Sequence, residues 1–410
     1  MNAATEFTSL NSWHQIATAL RGDVVNLSAA KLARKLGLDA NSLDTLMLVH
    51  RHKPAAREVA ELRVQATINS LVHGRAGAEK ACADHGFAST DASNRALLGY
   101  CGMDAHNLKA MDGCTHFQLK LPAHYRVAET LAYLSRDPHS NNVHRQSATC
   151  VVMALVINGT AVCAILTFGE REVDIELDKR LDSTNIAPCI AVFRRVLGFA
   201  APTAALLQRA RREPEVQRLM AGRRGLRVHQ TARAWDALVW AVLGQQISLS
   251  AAYTLLRRLS DAAGTCVAER LRTLPRADIV AQMSDADLRA CKLSRAKART
   301  LHLLATKISA GELDLAALEH GSAVSAHELL LAQNGIGPWT ANYVMMRGFG
   351  FADCAPIGDA GLRRALRQFL DLPAPPSDKD MAQLMAPFAP HRSLATFHLW
   401  RGFDGALPTT

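Results

Sequence analysis

The sequence predicts a mainly α-helical protein with one small α+β domain, and three observations carry that expectation. Through residues 1–112 apolar positions recur at helical spacing around two glycine turns, the layout of a double helix-turn-helix. Within 113–204 the period changes to unbroken β-rich runs joined at Asn158-Gly159. From 205 to 410 helical spacing returns, and an apolar helix there ends at a Gly-x-Gly turn that leads at once into another helix.

In the first region Leu32, Ala33, Leu36, Leu43 and Leu46 flank the Gly37-Leu38 turn, and a second copy runs from Ala83 through Gly86-Phe87-Ala88-Ser89 to Gly102. The Leu-Gly turn, the Leu-x-x-Leu helix, Pro54 and Gly-Phe-x-Ser follow in that order, and the pair resembles the DNA-binding module of AraC-type regulators. The resemblance is degenerate. Leu38 to Val49 holds Asp39 and Asp44 but neither arginine nor lysine, and Ser93 stands where the family carries an aromatic residue, although Arg95 is kept. Without arginine the strongest contact to guanine in the major groove is lost, so an auxiliary or vestigial DNA-holding role is expected. His50 and His52, near a helix end, read as ordinary solvated histidines.

In the second region Cys150–Ile157 and Ala161–Phe168 are apolar runs separated by Asn158-Gly159-Thr160, a strong hairpin signal. A third strand at Glu172 to Leu177 and a helix from about Ile186 to Leu197 complete an antiparallel sheet with helical cover. It resembles the α+β domain that precedes the catalytic part of bacterial 3-methyladenine DNA glycosylase II, and a supporting role is expected.

Composition sets outer limits. With 410 residues, nearly half of them hydrophobic, the chain can hold several packed cores. A net charge of +10 and a pI near 9.3 point to a polyanionic partner. The nine cysteines are scattered singly with no C-x-x-C pair, so neither a zinc site nor a disulfide framework is indicated. Met1 to Asp23 shows no basic segment followed by an apolar run, and no uncharged apolar stretch is long enough to span a bilayer. A cytoplasmic monomer is expected.

The third region opens with a run of arginines between Arg209 and Arg227, some of which are expected to touch DNA. Its most informative stretch is Leu331-Ala332-Gln333-Asn334-Gly335-Ile336-Gly337-Pro338-Trp339-Thr340-Ala341, followed by Asp359. Glycine is needed where φ is positive or backbones approach closely. The unpaired N–H groups at the start of the second helix form a ready anion site. Asp359 opens the amphipathic helix Ala360–Leu366, and a carboxylate there caps the helix and is favoured in its charged form.

This stretch resembles the hairpin of the helix-hairpin-helix DNA glycosylase superfamily, and the likeness covers most of Trp235 to Phe403. It implies an all-α catalytic domain in two lobes with Asp359 as the catalytic carboxylate, Asp353 being the weaker candidate. Gly335, Ile336, Gly337 and Thr340 would bind a DNA phosphate. Trp339, Tyr343 and Trp400 would line the cleft for a flipped purine, whose positive charge aromatic faces attract. Trp235 to Ser248, interrupted at Gly244-Gln245-Gln246, matches the segment that fills the duplex, with Gln245 and Gln246 as a polar wedge. Lys297 matches a phosphate contact. Ala360 stands where some members carry an aromatic residue, which implies a roomier pocket.

The implied activity is hydrolysis of the N-glycosidic bond of alkylated purines in double-stranded DNA, leaving an abasic site. Bifunctional relatives place a lysine where this chain has Trp339, so a monofunctional enzyme using water is expected. No cysteine follows Cys354, which excludes a four-cysteine iron–sulfur loop. No organic cofactor or metal is implied, and a monovalent cation on hairpin carbonyls is compatible with the reading. A DNA-binding regulator or damage sensor with an inactive glycosylase part, and a bifunctional glycosylase-lyase, are the alternatives.

Overall fold

A computed structural model describes residues 10–403, apart from 23–24, 26, 75–76 and 201–202. Residues 1–9 and 23 of the Met1 to Asp23 segment thus lie outside the described residues.

Helices Ala29–Leu36 and Ala40–Arg51 meet at Gly37, whose φ of 67° ends the first helix in a left-handed cap. The two acids that set this segment apart from a DNA reader are structural. The Asp39 carboxylate accepts from the N–H groups of Asn41 at 2.9 Å and Ser42 at 3.0 Å, and Asp44 accepts from Ala55 N–H at 2.8 Å, capping the next helix, Ala55–His73. Trp13, Ile16, Leu32, Leu43, Leu46, Met47 and Val59 form the core of this part.

The second helical pair, Ala78–Asp84 and Thr90–Cys101, packs elsewhere. Leu97, Cys101 and Leu108 share a core with Phe117, Leu119, Val151, Leu166, Ile175 and Phe193, so packing runs across the expected boundary at 112. Gly102, with φ of 78°, shows how close the approach is: a Cβ there would stand 2.6 Å from the carbonyl oxygen of Lys120. The buried Ser93 hydroxyl lies 2.8 Å from Cys82 Sγ inside this pair, where an aromatic side chain would find no room.

The sheet has five antiparallel strands, β1 (His116–Lys120), β2 (Val143–Arg145), β3 (Cys150–Ile157), β4 (Thr160–Phe168) and β5 (Glu172–Leu177), in the order β1-β5-β4-β3-β2. β3 and β4 are joined by a turn with positive φ at both Asn158 (47°) and Gly159 (80°), as a two-residue hairpin loop demands. Helix Ser183–Val196 covers the sheet. β1 and β2 escaped the sequence reading because they are short edge strands of five and three residues.

The C-terminal helices build one further core around Leu238, Val242, Leu301, Leu304, Leu330, Val344, Leu366 and Phe397. The N-terminal helices dock on it through buried polar contacts. His50, stacked on Trp13 at 5.3 Å, sets its Nδ1 2.7 Å from Ser322 Oγ. Arg51 donates to the carbonyls of Glu319 at 3.0 Å and Gly321 at 2.6 Å. The N–H of Asp353 donates to His52 Nδ1 at 3.1 Å, and burial pushes that imidazole down to about 4. The two histidines are therefore interface residues rather than solvated ones. The last turn of Ala40–Arg51 faces protein. No described helix is long and apolar enough to cross a membrane.

Candidate active site

Helix Ala323–Leu331 leads through the hairpin into Pro338–Val344, which continues as a π-helical turn, Met345–Phe349. Gly335 is required twice over, by its φ of 83° and because a Cβ would lie 2.3 Å from Thr300 Oγ1. Gly337 differs from expectation: its φ is −97° and a Cβ there would meet nothing within 4 Å. Ile336 points its side chain into the core and gives its N–H to Gln333 at 3.1 Å. Thr340 is buried as well, and its Oγ1 accepts from Gln245 Nε2 at 3.0 Å. Of the four expected phosphate contacts, the backbone at Gly337 and the first N–H groups of the following helix remain suited to an anion.

Asp359 caps helix Ala360–Phe369, with Oδ1 accepting from Leu362 N–H at 2.7 Å. Two indoles complete its coordination: Trp400 Nε1 donates to Oδ1 at 3.0 Å and Trp339 Nε1 to Oδ2 at 3.1 Å. The carboxylate is thus fixed by three donors from three helices. The Trp339 ring stacks on Tyr343 at 5.5 Å, and Tyr343 lies 6.4 Å from Trp400. The structure therefore brings together Asp359, Trp339, Tyr343 and Trp400, and it gives both tryptophans a polar task that the sequence did not reveal.

Residues 239–390 match the family model described as HhH-GPD superfamily base excision DNA repair protein. Those residues form an HhH-GPD domain. Relatives agree. The chain is 33% identical over 180 residues to a DNA-3-methyladenine glycosylase of Bacillus subtilis, covering 43% of this chain and 59% of that protein. It is 32% identical over 221 residues to a probable bifunctional transcriptional activator/DNA repair enzyme AlkA of Mycobacterium tuberculosis, covering 53% of this chain and 43% of the relative. It spans only about half the length of these relatives. The fold is similar to that of a 3-methyladenine DNA-glycosylase from Archaeoglobus fulgidus, with a TM-score of 0.62 at 20% identity over 70% of this chain and 97% of the other.

Elsewhere in the HhH-GPD domain the structure corrects several expectations. Gln245 is no free wedge, because its Nε2 donates to Gly335 O at 2.9 Å as well as to Thr340. Gln246 alone stands exposed, with a left-handed φ of 56°, beside the exposed apolar side chains of Ile247 and Leu249. Their alternation in Gln246-Ile247-Ser248-Leu249 was the signal the sequence offered for them.

Lys297, expected on a phosphate, donates to Leu243 O at 2.5 Å and so caps the helix Ala234–Gly244. Asp353 is paired with Arg392 at 2.8 Å; burial alone would raise its carboxyl, but the guanidinium holds it below its ordinary value. Its role is to anchor the last helix. Arg209 and Arg218 bond backbone carbonyls of the domain, at Ala389 and Phe369, and Arg227 bonds the carbonyl of Gly198 outside it, whereas Arg211, Arg212 and Arg224 are exposed. Among the described residues no cluster of histidine, cysteine and acidic side chains could hold a metal ion.

Proposed function

We propose that this protein is a monofunctional DNA glycosylase that flips alkylated purines out of double-stranded DNA and hydrolyses their N-glycosidic bond, leaving an abasic site. The observation that carries the reading is the Asp359 carboxylate, held by the Leu362 N–H and two indole N–H groups beside the Trp339, Tyr343 and Trp400 rings. Glycosidic cleavage builds positive charge near the anomeric carbon, and a preorganised carboxylate stabilises it without reorganising. The same oxygen pair can orient or deprotonate the attacking water.

The hairpin would seat a phosphate at Gly337, where the empty space beside Cα leaves room for a close approach. Gln246 would enter the hole left by the base, with Ile247 and Leu249 against the groove. An alkylated purine is cationic and leaves readily, so contact with electron-rich rings can suffice. Lyase chemistry is disfavoured because Trp339 occupies the lysine position and Lys297 is engaged at Leu243. The sequence-reading regulator is disfavoured because the last turn of Ala40–Arg51 is buried against the catalytic helices. A cytoplasmic monomer acting on alkylated duplex DNA fits these features.

The test is release of free base from methylated duplex DNA by the wild type and by Asp359→Asn. Release of 3-methyladenine by the wild type alone is expected. No release by either protein, with DNA binding intact, would overturn the reading in favour of a damage binder.

A further inference from the structure

Gln230 is 6% exposed, and its side-chain amide makes no hydrogen bond among the described residues, although its backbone N–H donates to Arg195 O at 3.0 Å. Gly350, with φ of 75°, makes the place for that amide, since a Cβ there would stand 2.6 Å from Gln230 Nε2. Arg194, on the helix Ser183–Val196, sets its guanidinium 3.9 Å over the Tyr100 ring, and its Nε has no hydrogen-bond partner. Glu61 is the acid it faces, at 3.7 Å, beyond hydrogen-bond reach. Buried polar groups without partners are costly and are retained where something completes them.

Both side chains line one cavity of about 100 Å³, where the N-terminal segment from Arg51 to Gln65 meets the end of the helix Ser183–Val196 and the stretch from Phe349 to Ala352. None of Asp359, Trp339, Tyr343 and Trp400 lines it. Five lysine and arginine side chains stand on its wall against three carboxylates. Glu58 takes Arg51 at 3.3 Å and Lys53 at 2.6 Å, Glu61 takes Lys53 at 2.7 Å and Arg57 at 2.9 Å, and Glu319 takes Arg195. The carboxylates are thus engaged before Arg194 is served, and the wall holds an excess of two positive charges. His52, with its pKa pushed down to about 4 by burial, adds none at neutral pH.

Water can fill such a space but brings no charge. We propose that this cavity is a binding site for hydrogen phosphate, which latches the N-terminal helices onto the HhH-GPD domain. The inference does not depend on base release. The volume suits one tetrahedral oxyanion and lies well below the roughly 300 Å³ at which pockets for larger organic ligands begin.

The two unpartnered groups select the ligand. A guanidinium only donates, in a planar fork that matches two oxygens of a phosphate, whereas an amide offers a donor and an acceptor. Hydrogen phosphate accepts from Arg194 and from Gln230 Nε2 and gives its own proton to Gln230 Oε1. Sulfate carries no proton at neutral pH and would leave the amide oxygen unmet. Arg57 belongs to the helix Ala55–His73, Arg194 to the helix that covers the sheet, and Gly350 to the HhH-GPD domain, so an anion among them ties the three together. A ligand that binds only the docked arrangement stabilises it by mass action.

The full chain is titrated with inorganic phosphate and with sulfate, at an ionic strength held constant by chloride, as wild type, Gln230→Leu and Arg194→Gln. Calorimetry reads the affinity and thermal melting the stability. The wild type is expected to bind a single phosphate, to melt higher as phosphate rises, and to take sulfate about tenfold more weakly. Gln230→Leu removes the unpaired amide at similar size, so without phosphate it should be at least as stable as the wild type, while its phosphate affinity falls on the order of tenfold. A merely structural glutamine would behave the other way, losing stability and keeping the affinity. Arg194→Gln should bind phosphate about 10- to 100-fold more weakly, which carries the test if the leucine variant does not fold. A wild type that binds no phosphate leaves water as the occupant and overturns the inference, as do equal affinities for sulfate and phosphate or an undiminished phosphate affinity in a folded variant.

Discussion

The indole N–H of Trp400 donates to Oδ1 of Asp359 at 3.0 Å, across 41 residues of chain, and with Trp339 on Oδ2 it leaves the carboxylate little freedom to rotate. Trp400→Phe keeps an aromatic ring in the cleft and deletes only the donor. A hydrogen bond to a charged group contributes about 1.5–3 kcal/mol, so base release should slow about 10- to 100-fold in either Trp400→Phe or Trp339→Phe. The loss should appear in the single-turnover rate with DNA affinity nearly unchanged. A loss confined to affinity would mean that the tryptophans act as ring surfaces only.

Gln245 and Gln246 are neighbours with opposite fates, and substitution separates them. Gln245→Ala leaves Gly335 O and Thr340 Oγ1 without their shared donor, which should destabilise the protein by about 1–3 kcal/mol and loosen the hairpin. Gln246→Ala touches nothing buried and should alter stability by less than about 0.5 kcal/mol. Its effect should appear in base release from well-paired duplex and shrink when the damaged base is mispaired, because weakened pairing lowers the cost of flipping. Denaturant melts and release rates on both duplexes check the pair.

How much of this was legible in the sequence depends on distance along the chain. The hairpin, the Asp359 cap and the Asn158-Gly159 turn are local, each fixed by neighbours within a few residues. Gln245 could not be read correctly because its acceptor, Gly335 O, lies 90 residues away. For the same reason Lys297 looked free, while its partner is Leu243, and His50 looked solvated, while Ser322 lies 272 residues on. The indole contacts to Asp359 were hidden differently. An indole offers both a face and one N–H, and the sequence shows the residue without showing which is used.

The two hairpin glycines should respond in opposite ways to alanine. At Gly335 a methyl meets Thr300 Oγ1 at 2.3 Å on a backbone with φ of 83°. The left-handed strain and the forced repacking together should cost about 2–5 kcal/mol. At Gly337 φ is −97° and the space is open, so stability should hold or rise by up to about 1 kcal/mol. Yet the added methyl would stand where a phosphate is proposed to approach. DNA affinity should therefore drop in the more stable of the two variants, a split that thermal melting and equilibrium binding resolve.

His52 links the N-terminal helices to the HhH-GPD domain. Its Nδ1 accepts from the Asp353 N–H, which requires the neutral ring, and burial depresses its pKa from 6.5 to about 4 against the opposing pull of Asp353. Between those values the unfolded chain binds more protons than the folded one. Stability therefore falls as pH drops below 6.5 and levels off below 4, by about 3 kcal/mol for this residue at about 1.36 kcal/mol per pKa unit. His229 and His398, both pushed down to about 3 by burial, add to the same slope. His52→Asn keeps an acceptor but cannot be protonated, so its stability curve between pH 6.5 and 4 should be shallower than that of the wild type, though not flat. Chemical denaturation at a series of pH values measures the difference. Parallel curves for the two proteins would mean that His52 does not sense the docking of the N-terminal helices.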